Sequence, residues 1–144
     1  MSKTELFGFE VEIYRDLNEK WYSTSSGWAC SCGHCRNFLT LAHDKKLPSD
    51  ILESLYAIGI SPHQATYVCE MYPDGDKFMY QFSYRISGMI NSEDLSVHKK
   101  YDWGDVRFCH EPYPYGAPDF PVPNFDLEFW VPLPWILDED PDGR

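Results

Sequence analysis

Phe78-Met79-Tyr80-Gln81-Phe82-Ser83-Tyr84-Arg85-Ile86-Ser87 is the stretch on which the fold turns. Phe78, Tyr80, Phe82, Tyr84 and Ile86 alternate with Met79, Gln81, Ser83, Arg85 and Ser87. A period of two places the rings on one face of a β-strand and the second set on the other. Upstream, Pro73-Asp74-Gly75-Asp76 is a turn signal that follows a strand over Thr66 to Met71. Downstream, Leu95 to Lys99 and Val106 to His110 read as paired strands joined at Asp102-Trp103-Gly104. A last strand turns Phe125, Leu127, Phe129 and Val131 inward and Asp126 and Glu128 outward.

Between those strands, Glu111 to Pro123 carries five prolines among thirteen residues. Proline lacks an N–H and fixes φ, so this stretch is an extended loop. Toward the N-terminus, Phe7, Phe9, Val11 and Ile13 alternate with Glu10 and Glu12, a half-buried strand. Asn18-Glu19-Lys20 reads as a turn and Trp21 to Thr24 as a short second strand. Arg36 to His43 suits a short helix packed through Phe38, Leu39, Leu41 and Ala42. Pro48 opens another, whose stripe is Ile51, Leu52, Leu55 and Ile58 and whose stop is Gly59. Ser61-Pro62-His63-Gln64 has the spacing of a capping box for one further helical turn.

These elements predict an α+β fold: an antiparallel β-sheet, sandwich-like or strongly curved, with a two-helix insertion after a cysteine cluster. Residues 1–137 form one domain in this reading, and the acidic 138–144 a solvated tail.

Twelve basic against 23 acidic residues leave a net charge of −11. Phosphate backbones and anionic lipid surfaces are therefore poor partners, whereas a protein with a basic surface is a good one. No apolar run approaches the ~20 residues of a membrane helix. The opening Met1-Ser2-Lys3-Thr4-Glu5-Leu6-Phe7 lacks the apolar core of a signal peptide, so the expected compartment is the cytoplasm. No hydrolytic histidine spacing, nucleophile elbow or phosphate loop occurs, which argues against an enzyme.

The chemistry concentrates in Cys30-Ser31-Cys32-Gly33-His34-Cys35. Cys32 and Cys35 have the spacing that turns two thiolates onto one zinc ion, and Cys30 supplies a third sulfur if its segment is extended. The fourth ligand has to come from afar, with Cys109 the leading candidate beside His110 and then Cys69. In a second reading the pair is a redox dithiol, with Cys32 the nucleophile and Cys35 the resolving thiol. A helix starting near Cys35, with His34 and Arg36, favours a thiolate at Cys32. In the third reading the sulfurs only pack. Glu10, Glu12, Asp126 and Glu128, with Tyr113 and Tyr115 of the proline-rich loop, make an acidic and aromatic surface for a basic protein if their strands are neighbours. That surface points to an immunity, inhibitor or regulatory factor rather than a catalyst.

Cys32-Gly33-His34-Cys35 resembles the active-site tetrapeptide of protein disulfide isomerases, although Tyr22 to Gly27 replaces the apolar strand that precedes the motif there. A wider pattern is similar to a family of small, uncharacterised bacterial cytosolic proteins. It consists of Cys30-x-Cys32-x2-Cys35-Arg36-Asn37, then Leu47-Pro48 and Gly59-Ile60-Ser61-Pro62, then Leu133-Pro134-Trp135-Ile136-Leu137-Asp138-Glu139. In that pattern the cysteines recur while Gly33 and His34 vary. The resemblance thus implies a metal or packing role over isomerase chemistry, and it does not include Cys69 or Cys109.

Overall fold

Apolar faces of period two and period 3.6 have to be covered, and this chain covers both with one layer on another. The computed structural model describes residues 2–91, 96–112 and 116–141. Strands are β1 (Ser2–Leu6), β2 (Phe9–Ile13), β3 (Tyr67–Asp74), β4 (Lys77–Ile90), β5 (Ser96–Tyr101), β6 (Gly104–Cys109) and β7 (Asn124–Leu133). Helices α1 (Arg15–Thr24), α2 (Gly33–His43) and α3 (Ser49–Ile58) lie between β2 and β3. All strand pairs are antiparallel, in the order β1-β2-β4-β7-β6-β5 with β3 also on β4. The α+β class and the curved antiparallel sheet are as expected.

β4 is the spine. It pairs with β7 from Phe78 to Ser87, with β3 along its first half, and with β2 through Gly88, Met89 and Ile90. Its rings Tyr80, Phe82 and Tyr84 are fully buried together with Phe125, Leu127 and Phe129 of β7 and Val106 and Phe108 of β6. Phe38 of α2 meets Phe82 at 4.7 Å between centroids, and Phe82 meets Phe129 at 5.4 Å. Each such side chain contributes about 1.5–3 kcal/mol by leaving water. The sheet curls until the β1–β2 turn reaches β5 and β6: Phe7 contacts Tyr101, Phe9 contacts Phe108, and Lys99 Nζ sits 5.1 Å above the Phe9 ring.

Three details depart from the sequence reading. The alternating Phe7–Ile13 stretch is not one strand, because Phe7 and Gly8 form a two-residue hairpin turn, both with positive φ, between β1 and β2. Asn18 to Lys20 and Trp21 to Thr24 are helical, not a turn and a strand. Their helix α1 buries Asn18 and Tyr22 one turn apart, and a polar Asn on the inner stripe hides the apolar period. Asn18 is satisfied there by taking the Ser87 N–H and donating to the Ser87 carbonyl. Finally, Ser61–Gln64 forms the back-bond from Ser61 N–H to Gln64 Oε1 but only a turn, not a helix. Gly59 ends α3 in the left-handed conformation as expected.

The second face of β4 and β7 is also buried, which overturns the outward placement of Asp126 and Glu128. Each is 1% exposed. Arg85 lies opposite Asp126 and donates from Nε to its Oδ1 at 2.7 Å. Gln81 Nε2 and Arg107 Nε hold the two oxygens of Glu128 at 2.7 and 2.8 Å. The buried Arg85 and the partly exposed Arg107 thus offset two buried carboxylates, as burial of charge requires.

The expected acidic patch is not assembled. Glu10 and Glu12 sit on β2, which β4 separates from β7. Tyr113 and Tyr115 lie outside the described residues. Phe120 folds inward against Trp21 at 4.8 Å, and Trp130 and Trp135 are half-buried. The loop approaches β3 so closely that a Cβ on Gly116, whose φ is +89°, would fall 1.9 Å from the Thr66 carbonyl oxygen.

Among the described residues, no helix is long and apolar enough to cross a membrane.

Candidate metal centre

Ser25 to Ser31 carries no regular secondary structure, and α2 begins two residues later at Gly33, earlier than expected. Cys32 is the N-cap, with extended φ −64° and ψ 166°, and its carbonyl accepts the first helical bond from Arg36 N–H at 2.9 Å. Cys35 therefore stands inside the first helical turn, and its side chain faces the core. Cys30, two residues before the cap, returns to the same spot. The three Sγ atoms lie within 4.8 Å of one another; Cys30 and Cys32 are exposed and Cys35 is buried.

One further group closes the inner side. Trp28 Nε1 donates to Cys35 Sγ at 3.2 Å. Burial pushes the Cys35 thiol up to about 12, a shift that the Trp28 N–H opposes and the neighbouring thiols reinforce. Cys30 moves the other way: the Cys32 backbone N–H, followed by the Cys35 and Cys32 thiols, favours its thiolate. The positive end of α2 lies beside all three sulfurs and favours negative charge there.

The end of the chain braces this turn. Asn37, fully buried, donates to the Pro134 carbonyl at 3.0 Å and to Tyr80 Oη at 3.1 Å, and accepts from Ile136 N–H at 2.9 Å. Arg36 holds the Ser31 carbonyl at 3.0 Å and pairs with Glu139. Trp135 lies over Gly33 and returns its indole N–H to the Glu139 carbonyl at 2.7 Å. The Cys-x-Cys-x2-Cys-Arg-Asn and Leu-Pro-Trp-Ile-Leu-Asp-Glu segments, joined by contacts that span 97 to 103 residues of sequence, are thus one structural unit. Glu139, expected in a solvated tail, belongs to it.

His34 is not a ligand candidate in this arrangement. Its Nδ1 is 2.7 Å from Tyr80 Oη, and its ring packs edge-on against Phe78 at 4.9 Å and Trp135 at 5.2 Å. Cys109, the sequence candidate for a fourth ligand, is not part of the group. It lies on β6, with its Sγ on the Glu111 carbonyl at 3.2 Å. Cys69 is on β3 beside the Glu70 carbonyl. Among the described residues, then, three sulfurs make the cluster.

Such a cluster is able to hold a metal ion. Thiolates about 2.3 Å from a tetrahedral zinc stand about 3.8 Å apart, so the present spacing needs only small side-chain adjustments. An N–H directed at a ligand sulfur is the outer support that metal thiolates need.

The Trp28 and Asn37 contributions were missed from sequence. The available signals were a Trp two residues before the first cysteine and an Asn on the inner side of a short helix. Comparison with known proteins finds no matching family model, no similar curated protein and no similar solved structure.

Proposed function

We propose that this chain is a non-catalytic metal-binding protein that holds zinc through Cys30, Cys32 and Cys35. The observation that carries the reading is the convergence of three sulfurs at one helix cap, with the Trp28 N–H already directed at the buried one. Disulfide chemistry uses two thiols and leaves the third without a purpose. Simple packing accounts for Cys35, but not for two exposed cysteines held beside it. The metal would fasten the extended segment to α2 and, through Arg36 and Asn37, to the chain end.

The acidic net charge of −11 still suits a basic protein partner, with exposed Glu10 available on β2. Asp126 and Glu128 are consumed by the buried ion-pair layer and add nothing to that surface.

One observation favours thiol–disulfide exchange as the second reading: Cys32 is exposed at a helix cap while its partner Cys35 is buried in the first turn. Metal analysis separates the two. Protein prepared without chelator is expected to contain one zinc per chain. Cys30→Ser, Cys32→Ser and Cys35→Ser should each lose it, and Cys109→Ser should keep it. Metal-free protein that reduces a disulfide substrate through Cys32 would replace the zinc reading by the redox one.

A further inference from the structure

Zinc prefers four ligands, and among the described residues the cluster supplies three. Cys35 and Trp28 close the inner side, so the remaining position faces outward past the exposed Cys30 and Cys32. With no fourth ligand among the described residues, an ion bound there is open to a donor from outside the chain.

The surroundings specify the donor. A groove of about 570 Å³ opens beside the cluster, lined by Trp28, Arg36, Leu39, His43, His63 and Leu137 among others. That size accommodates a small organic ligand. Trp28 and Arg36 belong to groove and cluster at once: Trp28 bonds Cys35, and Arg36 bonds the Ser31 carbonyl between Cys30 and Cys32. Trp28, Leu39 and Leu137 offer apolar walls. Arg36, held by the Ser31 carbonyl and Glu139, and Asp44 line it as well, and the rings of His43 and His63, 5.8 Å apart, add polar edges.

The chemistry of the ion points the same way. Three thiolates give the zinc site a formal charge of −1 before a fourth ligand joins. So electron-rich an ion acidifies bound water less than one held by neutral imidazoles. A fourth sulfur completes the common tetrathiolate set. The α2 terminus offsets part of the added negative charge.

We propose that the site binds a low-molecular-weight thiol. Its sulfur is the fourth zinc ligand, and its body lies in the Trp28–Arg36–His63 groove. On binding, the zinc–sulfur bond forms, the zinc-bound water leaves, and the thiol proton passes to solvent. No electron is exchanged. This inference rests on the zinc reading and adds an exchangeable ligand to it.

Reduced glutathione is the probe. Zinc content is measured first, then X-ray absorption of the zinc-loaded protein with and without glutathione. The expected result is three sulfurs and one lighter atom at rest, becoming four sulfurs on saturation. S-methylglutathione, which has the same body but no free thiol, should leave the zinc shell unchanged. His63→Glu adds a second carboxylate to the groove beside Asp44 without touching the cluster and should weaken glutathione several-fold at unchanged zinc content. One zinc per chain with a sulfur count that glutathione does not alter would overturn the thiol site and leave the zinc reading standing. Failure to take up zinc would overturn both.

Discussion

The indole N–H of Trp28 points at Cys35 Sγ from 3.2 Å, so the buried sulfur of the cluster is met by a donor and not by hydrocarbon alone. A donor stabilises the thiolate and opposes the burial that raises Cys35 toward about 12. Trp28→Phe keeps most of the ring area and removes the donor. Zinc affinity, measured by competition with a chromophoric chelator, should fall by roughly 10-fold, the lower end of the range for lost outer-shell partners. Unchanged affinity would show that the N–H does not support a metal thiolate.

Asn37 links three parts of the chain: α2, Tyr80 of β4, and the Pro134–Ile136 segment. An apolar replacement strands the Ile136 N–H and the Pro134 carbonyl away from partners. A buried group left so costs about 1–3 kcal/mol. Asn37→Leu should lower the urea midpoint by a corresponding amount. It should also loosen the chain end, read as faster hydrogen exchange at Ile136. A normal midpoint would mean that the C-terminal segment is not part of the cooperative unit.

These two residues mark where sequence reading stops. β4 was legible because its rings alternate over a long run against polar neighbours, and α3 because Pro48 and Gly59 bracket an apolar stripe. The three cysteines were legible because cap geometry brings i, i+2 and i+5 together. The carboxylates of β7 were misread for a physical reason: alternation tells which side chains share a face, but not whether the second face meets water. Here Arg85, Gln81 and Arg107 supply partners, and Asp126 and Glu128 can be buried. Cys109 was misread because a lone cysteine on a distant strand carries no information about its spatial neighbours. α1 was misread because Asn18 fills an inner position usually held by an aliphatic residue.

The buried charge layer gives a direct test of that account. Asp126→Ala removes the carboxylate 2.7 Å from Arg85 Nε inside the fold. Breaking one side of a buried pair costs about 3–5 kcal/mol because the remaining ion stays desolvated. Replacing both, as Arg85→Met with Asp126→Leu, should recover much of that loss. If instead Asp126→Ala alters the unfolding free energy by no more than a few tenths of a kcal/mol, as a solvated surface carboxylate would, then the layer is open to water.

Alkaline pH provides the last test, through Tyr22, Tyr80 and Tyr84. Burial pushes all three phenols up, Tyr80 to about 12. Tyr22 Oη donates to the Arg85 carbonyl at 2.6 Å and Tyr84 Oη to the Pro62 carbonyl at 2.5 Å, bonds that exist only while the phenols keep their protons. A phenol whose folded pKa exceeds its unfolded ~10 binds its proton more tightly in the native state. Its contribution is complete below pH ~10 and is lost as pH rises through the folded value. Stability should therefore fall steeply above pH ~10. Tyrosinate absorbance should rise in two stages, exposed phenols first and these three with unfolding. In Tyr84→Phe the hydroxyl that has to ionise is gone, so unfolding should be less steep in pH even though the Pro62 bond is lost. A single smooth titration with the fold intact would mean that these hydroxyls are reached by water.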